Sequence, residues 1–149
     1  MGLRDWLRNG WLTEHQTSRE EIADLLGVIE RDAAQCRIDD LAPDWQLNIA
    51  YNAVLQVATA ALAATGYRAA RDAQHYRVIE SLAYTMNVAA PRIAELQGFR
   101  KKRNISGYER AGGVSQQEAN EMVGLAGALR DELIAWLAAN YPELIMERH

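Results

Sequence analysis

The sequence predicts an all-α protein, a single domain built as an antiparallel, up-and-down bundle of four to five helices. Three observations carry that prediction. The first is the stretch Asp44 to Gly66, DWQLNIAYNAVLQVATAALAATG. After its first turn the polar positions are Asn48, Asn52, Gln56 and Thr59, which recur every three or four residues and form one narrow stripe. A helix apolar around most of its circumference must be covered on most sides. The second observation is a pair of capping signatures, Ser18 with Glu21 and Ser115 with Glu118, each marking a helix start. The third is the lack of alternating β-branched or aromatic runs joined by a hairpin turn, so no sheet is expected.

The totals agree with one domain over 1–149. A chain of 149 residues, 49% hydrophobic and 24% charged, is large enough for a real core. A net charge of −4 excludes a general polyanion binder, so any nucleic-acid contact must come from a local basic patch. Cys36 stands alone, which excludes an internal disulfide and a cysteine-based zinc cluster. No pair of histidines or acids sits at ligand spacing on a face that reads as buried, so neither metal nor cofactor is expected. No cationic start leads into an apolar segment, and a cytoplasmic protein is the expectation. The Asp44 to Gly66 rod, at about 1.5 Å per residue, is roughly 35 Å long and could span a bilayer. Its polar stripe and alanine richness point instead to a bundle core, with no membrane role.

The first sixteen residues, MGLRDWLRNGWLTEHQ, carry Trp6, Leu7, Trp11 and Leu12 around Gly10. They read as a helical turn that packs its tryptophans on the bundle, or as an exposed aromatic anchor for a partner. From the Ser18 cap a helix runs to about Ala34, with Ile22, Leu25, Leu26, Val28 and Ile29 as its apolar face. The acids Glu20, Glu21 and Asp24 suit the positive end of its dipole. Asp24, Glu30, Asp32, Asp131 and Glu132 read as solvated. Asp44 is the expected cap of the central helix and Gly66 its stop.

Asp72 is the expected cap of a third helix reaching about Ala89, with His75, Tyr76, Ile79, Leu82, Ala83 and Met86 inward. Pro91 opens a fourth, with Ile93, Leu96 and Phe99 inward and Arg92, Glu95 and Arg100 outward. It is expected to end in Arg100-Lys101-Lys102-Arg103, ahead of Asn-Ile-Ser-Gly. Gly112-Gly113 breaks the chain again. The Ser115 helix then runs to about Asn140, with Met122, Leu125, Leu129, Leu133, Trp136 and Leu137 inward, and Pro142 stops it.

The stretch most able to carry chemistry is RKKRNISGYER, Arg100 to Arg110, with five cations in eleven residues. Two readings stand for it. Arg100, Lys101, Lys102, Arg103, Asn104 and Arg110 could hold nucleotide or RNA phosphates, arginine giving bidentate contacts. Equally, cations complement the negative end of a helix dipole. His75, on a face expected to be inward, reads as a hydrogen-bonded structural histidine. Ala111-Gly-Gly-Val has neither the preceding strand nor the lysine of a phosphate loop.

The order of these parts resembles the HEPN superfamily of small helical bundles: a long alanine-rich helix, a histidine opening the next, then basic residues and Arg-Asn-x-x-x-Tyr. The likeness covers Pro43 to Leu137 and is sharpest at Lys102-Arg103-Asn104-Ile105-Ser106-Gly107-Tyr108. What it implies is a homodimer or partner-bound bundle, often paired with a minimal nucleotidyltransferase as a toxin–antitoxin system. Many members are metal-independent endoribonucleases with an arginine followed four to six residues later by a histidine. Here Arg103 supplies the arginine, but Tyr108 stands where the histidine is expected. A phenol with a pKa near 10 is a poor base at neutral pH.

Three functions follow from the resemblance and the residues. The foremost is a non-catalytic nucleotide- or RNA-binding or assembly component. The second is a ribonuclease with a drifted motif, Arg103 essential and Tyr108 or His75 supporting. The third is a structural or interaction bundle. Tyr108 is also a candidate acceptor for nucleotide transfer by a partner.

Overall fold

A computed structural model describes residues 2–109 and 113–145, with the side chains of residues 104–109 left aside. The chain is predominantly helical, as expected. In order come α1 (Leu3–Arg8), β1 (Leu12–Glu14), α2 (Arg19–Gln35), α3 (Pro43–Ala64), β2 (Tyr67–Ala69), α4 (Gln74–Thr85), α5 (Ala90–Glu109) and α6 (Gln116–Asn140), closed by a 3-10 turn at Pro142–Leu144.

Helix α3 is the axis. It packs against α2, α4, α5 and α6, and a run of its side chains from Leu47 to Ala64 is buried. Asn48, Asn52, Gln56 and Thr59 are each half-buried, so the polar stripe lies along the seam between helices and not in the core. The alanines explain the close approach: Ala50, Ala53, Ala58, Ala60 and Ala61 are fully buried and leave room for the large residues of the neighbours. Among the described residues α3 alone is long and apolar enough to cross a membrane, and here its apolar surface is mostly buried inside the bundle.

Several boundaries differ from expectation, each for a physical reason. Pro43, not Asp44, opens α3: its fixed φ suits the first helical position, and Asp44 falls in the first turn. Asp72 does not cap α4. Ala73 occupies that place in a left-handed conformation (φ 53°), and the helix stops at Thr85, ahead of Asn87 at φ 57°. Its buried face is Val78, Ile79, Ser81, Leu82 and Thr85, which leaves His75 and Tyr76 on the exposed side. Trp45, read as apolar and covered, is 60% exposed. Asp32 is buried, not solvated: Asn52 Nδ2 donates to its Oδ2 at 2.6 Å and Arg31 Nε to its Oδ1 at 3.1 Å.

The largest correction concerns α5. It does not end at the basic cluster but continues through Glu109. The cations are therefore inside the helix, and the dipole of a helix end does not account for them. A second correction is a two-stranded antiparallel ribbon, β1 on β2, with Leu12 opposite Ala69 and Glu14 opposite Tyr67. No hairpin joins these strands, so no local turn announces them. The ribbon ties the N-terminal segment onto the bundle, where Trp6 and Leu12 pack with Leu62. Trp6 meets Trp11 edge-on at 5.9 Å, and the Arg77 guanidinium lies 4.3 Å from the Trp11 ring centre.

The predicted caps and stops hold elsewhere. Ser18 Oγ accepts from Glu21 N, and Ser115 with Glu118 forms a reciprocal box. Gly66, at φ 98°, ends α3 in the conformation glycine alone adopts without strain, its N–H donating to Ala63 O at 2.9 Å.

Candidate functional site

The chemistry-bearing residues gather where the first half of α3 meets the start of α4 and the middle of α5. From α3 come Asn48 and Tyr51, one turn apart. From the first turn of α4 come His75 and Tyr76. From α5 come Gln97, Arg100 and Arg103, at three-residue steps that place them along one side of the helix.

Gln97 is the brace. It is buried, and its Nε2 donates to the Tyr76 carbonyl at 2.9 Å and to Glu80 Oε2 at 3.0 Å. Its Oε1 accepts from Arg100 Nε at 2.7 Å. This one amide ties α5 to α4 and orients the Arg100 guanidinium, which lies 5.6 Å from the Tyr76 ring centre. One turn further, the Arg103 guanidinium lies 5.1 Å from the centre of the Tyr51 ring. The His75 ring faces the same tyrosine at 6.2 Å, inclined by 54°. Two cations, two phenol rings and an imidazole thus share one corner of the bundle.

Two atoms at this corner lack the partners that buried polar groups normally have. Tyr51 Oη and Asn48 Oδ1 are both buried and without a hydrogen bond. Burial pushes the Tyr51 phenol up to about 12, against the pull of Arg103 and Arg100, so it stays protonated. His75 moves the other way: although exposed on α4, its ring is partly desolvated, and this, then the positive charges of Arg103 and Arg100, lowers its pKa below 6.5. A neutral imidazole beside two guanidiniums follows at neutral pH.

No protein-family model, curated protein or solved structure matches this chain.

The cations expected to act together do not all meet. Arg100 and Arg103 converge. Lys102 turns away, its Nζ 2.9 Å from Glu118 Oε2 at the start of α6. Lys101 is exposed. Asn104 and Tyr108 belong to the part of α5 whose side chains are not described, and Arg110 lies outside the described residues. Among the described residues no group of three histidines, cysteines or acids could hold a metal.

Sequence reasoning missed Gln97 and Tyr51 as site residues, and placed His75 inward. A glutamine three residues ahead of an arginine is too common to notice. Tyr51 sits one turn after Asn48 in the polar stripe, and that spacing was the available signal. Chemically, two arginines one turn apart offer bidentate donors to phosphate oxygens. Tyr76 adds an exposed ring for stacking, and His75 a neutral proton acceptor.

Proposed function

We propose that this chain is a HEPN-like helical-bundle protein that binds nucleotide or RNA phosphate at the α3–α4–α5 corner and works as a non-catalytic binding or assembly component. One observation supports this reading above the rest: Arg100 and Arg103 converge with His75 and Tyr51, although they are spread over three helices. Phosphate contacts by arginine supply affinity, and exposed Tyr76 supplies a stacking surface for a base. The family pattern adds the expectations of a homodimer that pairs with a nucleotidyltransferase, for which Tyr108 is a candidate nucleotide acceptor.

Fluorescence anisotropy with a labelled single-stranded RNA tests the binding. Arg100→Ala and Arg103→Ala each weaken it about tenfold or more, and the double variant flattens its salt dependence. Lys102→Ala, which frees Glu118, has a smaller effect. If the double variant binds as the parent does, the corner is not the site.

The second reading, an endoribonuclease, gains from one feature: His75 brings an imidazole of lowered pKa to the same Tyr51 ring that Arg103 faces. In that case His75 accepts the 2′-hydroxyl proton and Arg103 stabilises charge on the phosphorus oxygens. Cleavage of total RNA by the parent, lost in both Arg103→Ala and His75→Ala, decides for it. Intact RNA with all three decides for binding alone.

A further inference from the structure

A second site lies apart from that corner. Between the β-ribbon, α2, the second half of α3 and α4 is a partly enclosed cavity of about 250 Å³. Its floor is apolar, made by Leu25, Leu62, Ala63 and Val78. Its lining also carries both charge signs: Glu21 with His15, and Arg68 with Gln74.

The acidic part of the lining is built and held. His15 Nε2 is 2.8 Å from Glu21 Oε1, and Thr17 Oγ1 donates to the same oxygen at 2.6 Å. The backbone N–H of His15 donates to Gly66 O at 2.9 Å, which fixes the loop to the end of the ribbon. Both contacts use Oε1 and leave Oε2 as the carboxylate's other acceptor. The Thr17 hydroxyl, more than any other group, keeps the Glu21 carboxyl below its usual range, so it is charged at neutral pH.

The basic part of the lining is fixed by backbone pairing. Arg68 stands opposite Thr13 in the ribbon and is exposed. It lies near enough to Glu21 to act on it electrostatically, yet among the described residues no direct ion pair joins the two. Arg71 borders a neighbouring hollow that shares Arg68 and Gln74.

The size sets the class of ligand. About 250 Å³ is smaller than the sites of drug-sized molecules. An apolar floor discriminates against a wholly polar ligand. A plain carboxylic acid would meet Glu21, and a plain amine would meet Arg68. A small molecule with an ammonium and a carboxylate at one end and an aliphatic tail at the other satisfies all three surfaces.

We propose that this cavity binds a free aliphatic α-amino acid, its ammonium on Glu21, its carboxylate on Arg68 and its side chain against Leu25, Leu62 and Val78.

Isothermal titration calorimetry of the full chain with L-leucine tests this. Leucine is expected to bind, while 4-methylpentanoate, which lacks the ammonium, and 3-methylbutylamine, which lacks the carboxylate, each bind about tenfold more weakly or worse. Glu21→Gln and Arg68→Gln produce the same loss for leucine, with helical circular dichroism retained. The ligand series on the unaltered protein needs no variant to fold. No heat of binding with leucine into the millimolar range overturns the proposal, and so does 4-methylpentanoate binding as well as leucine. Arg103→Ala leaves leucine binding unchanged, so failure of the phosphate reading and failure of this one are separable.

Discussion

Tyr51 and Arg103 meet face to cation across two helices, the guanidinium 5.1 Å from the ring centre, while the tyrosine hydroxyl is buried with no hydrogen-bond partner. The ring is used structurally and the hydroxyl is not. Tyr51→Phe is therefore expected to leave stability unchanged or raise it by about 1 kcal/mol, since an unsatisfied buried hydroxyl is removed. If RNA affinity falls in that variant, the hydroxyl is a ligand contact. Arg103→Ala removes the cation–π contact and is expected to cost about 0.5–1 kcal/mol. Urea denaturation of both variants measures the contrast.

The pH dependence follows from two displaced groups. His75 titrates below 6.5 in the folded chain, so as pH falls below 6.5 the unfolded chain takes the proton first. Stability is present above 6.5 and is lost as pH drops through the folded value. His75→Gln removes that part of the profile. An NMR titration of the His75 ring proton is expected to show an apparent pKa that rises in the Arg100→Ala, Arg103→Ala double variant. Tyr51 acts at the other end: with its pKa raised from 10.0 to about 12, stability present below 10.0 is lost as pH rises toward 12.

Gly27, Gly98 and Gly124 lie inside helices on exposed faces, and a Cβ at any of them meets nothing within 4 Å. Alanine at each is expected to stabilise by about 0.5–1 kcal/mol by restricting the unfolded chain. The sites are on separate helices, so the three changes should add. Thermal denaturation of the triple variant checks this, and an unchanged midpoint would contradict it.

Core positions on α3 should respond in the opposite sense. Ala58 is fully buried among α3's neighbours, and Ala58→Leu is expected to cost about 1–3 kcal/mol through forced displacement of packed helices. Leu133→Ala on α6, also fully buried, should cost about 2–5 kcal/mol by opening a cavity. Denaturant midpoints measure both, and a tolerated leucine at Ala58 would mean that α3 is less tightly enclosed than its burial indicates.

Much of the architecture was legible because it rests on local rules. The Ser18 and Ser115 caps, the Gly66 stop and the apolar faces of α2, α3 and α6 are statements about neighbours three or four positions apart, and helices form from such neighbours. The end of α5 was misread for a related reason. Four cations followed by Asn-Ile-Ser-Gly look like a terminus by propensity, but the helix carries the chain past them to Glu109.

Long-range placement was not legible. The pairing of Leu12 with Ala69, the inward turn of Asp32 toward Asn52 and the outward turn of His75 depend on how rods pack, and no spacing along the chain encodes that. The sequence by itself determined a helical bundle around an alanine-rich rod, with its cations gathered in one segment. Only the tertiary structure decided which of those cations meet an aromatic ring, which one is spent on Glu118, and that a cavity lined by both charge signs lies under the ribbon. The reason is physical: helix formation depends on contacts within a turn or two, whereas sites are made where separate elements converge.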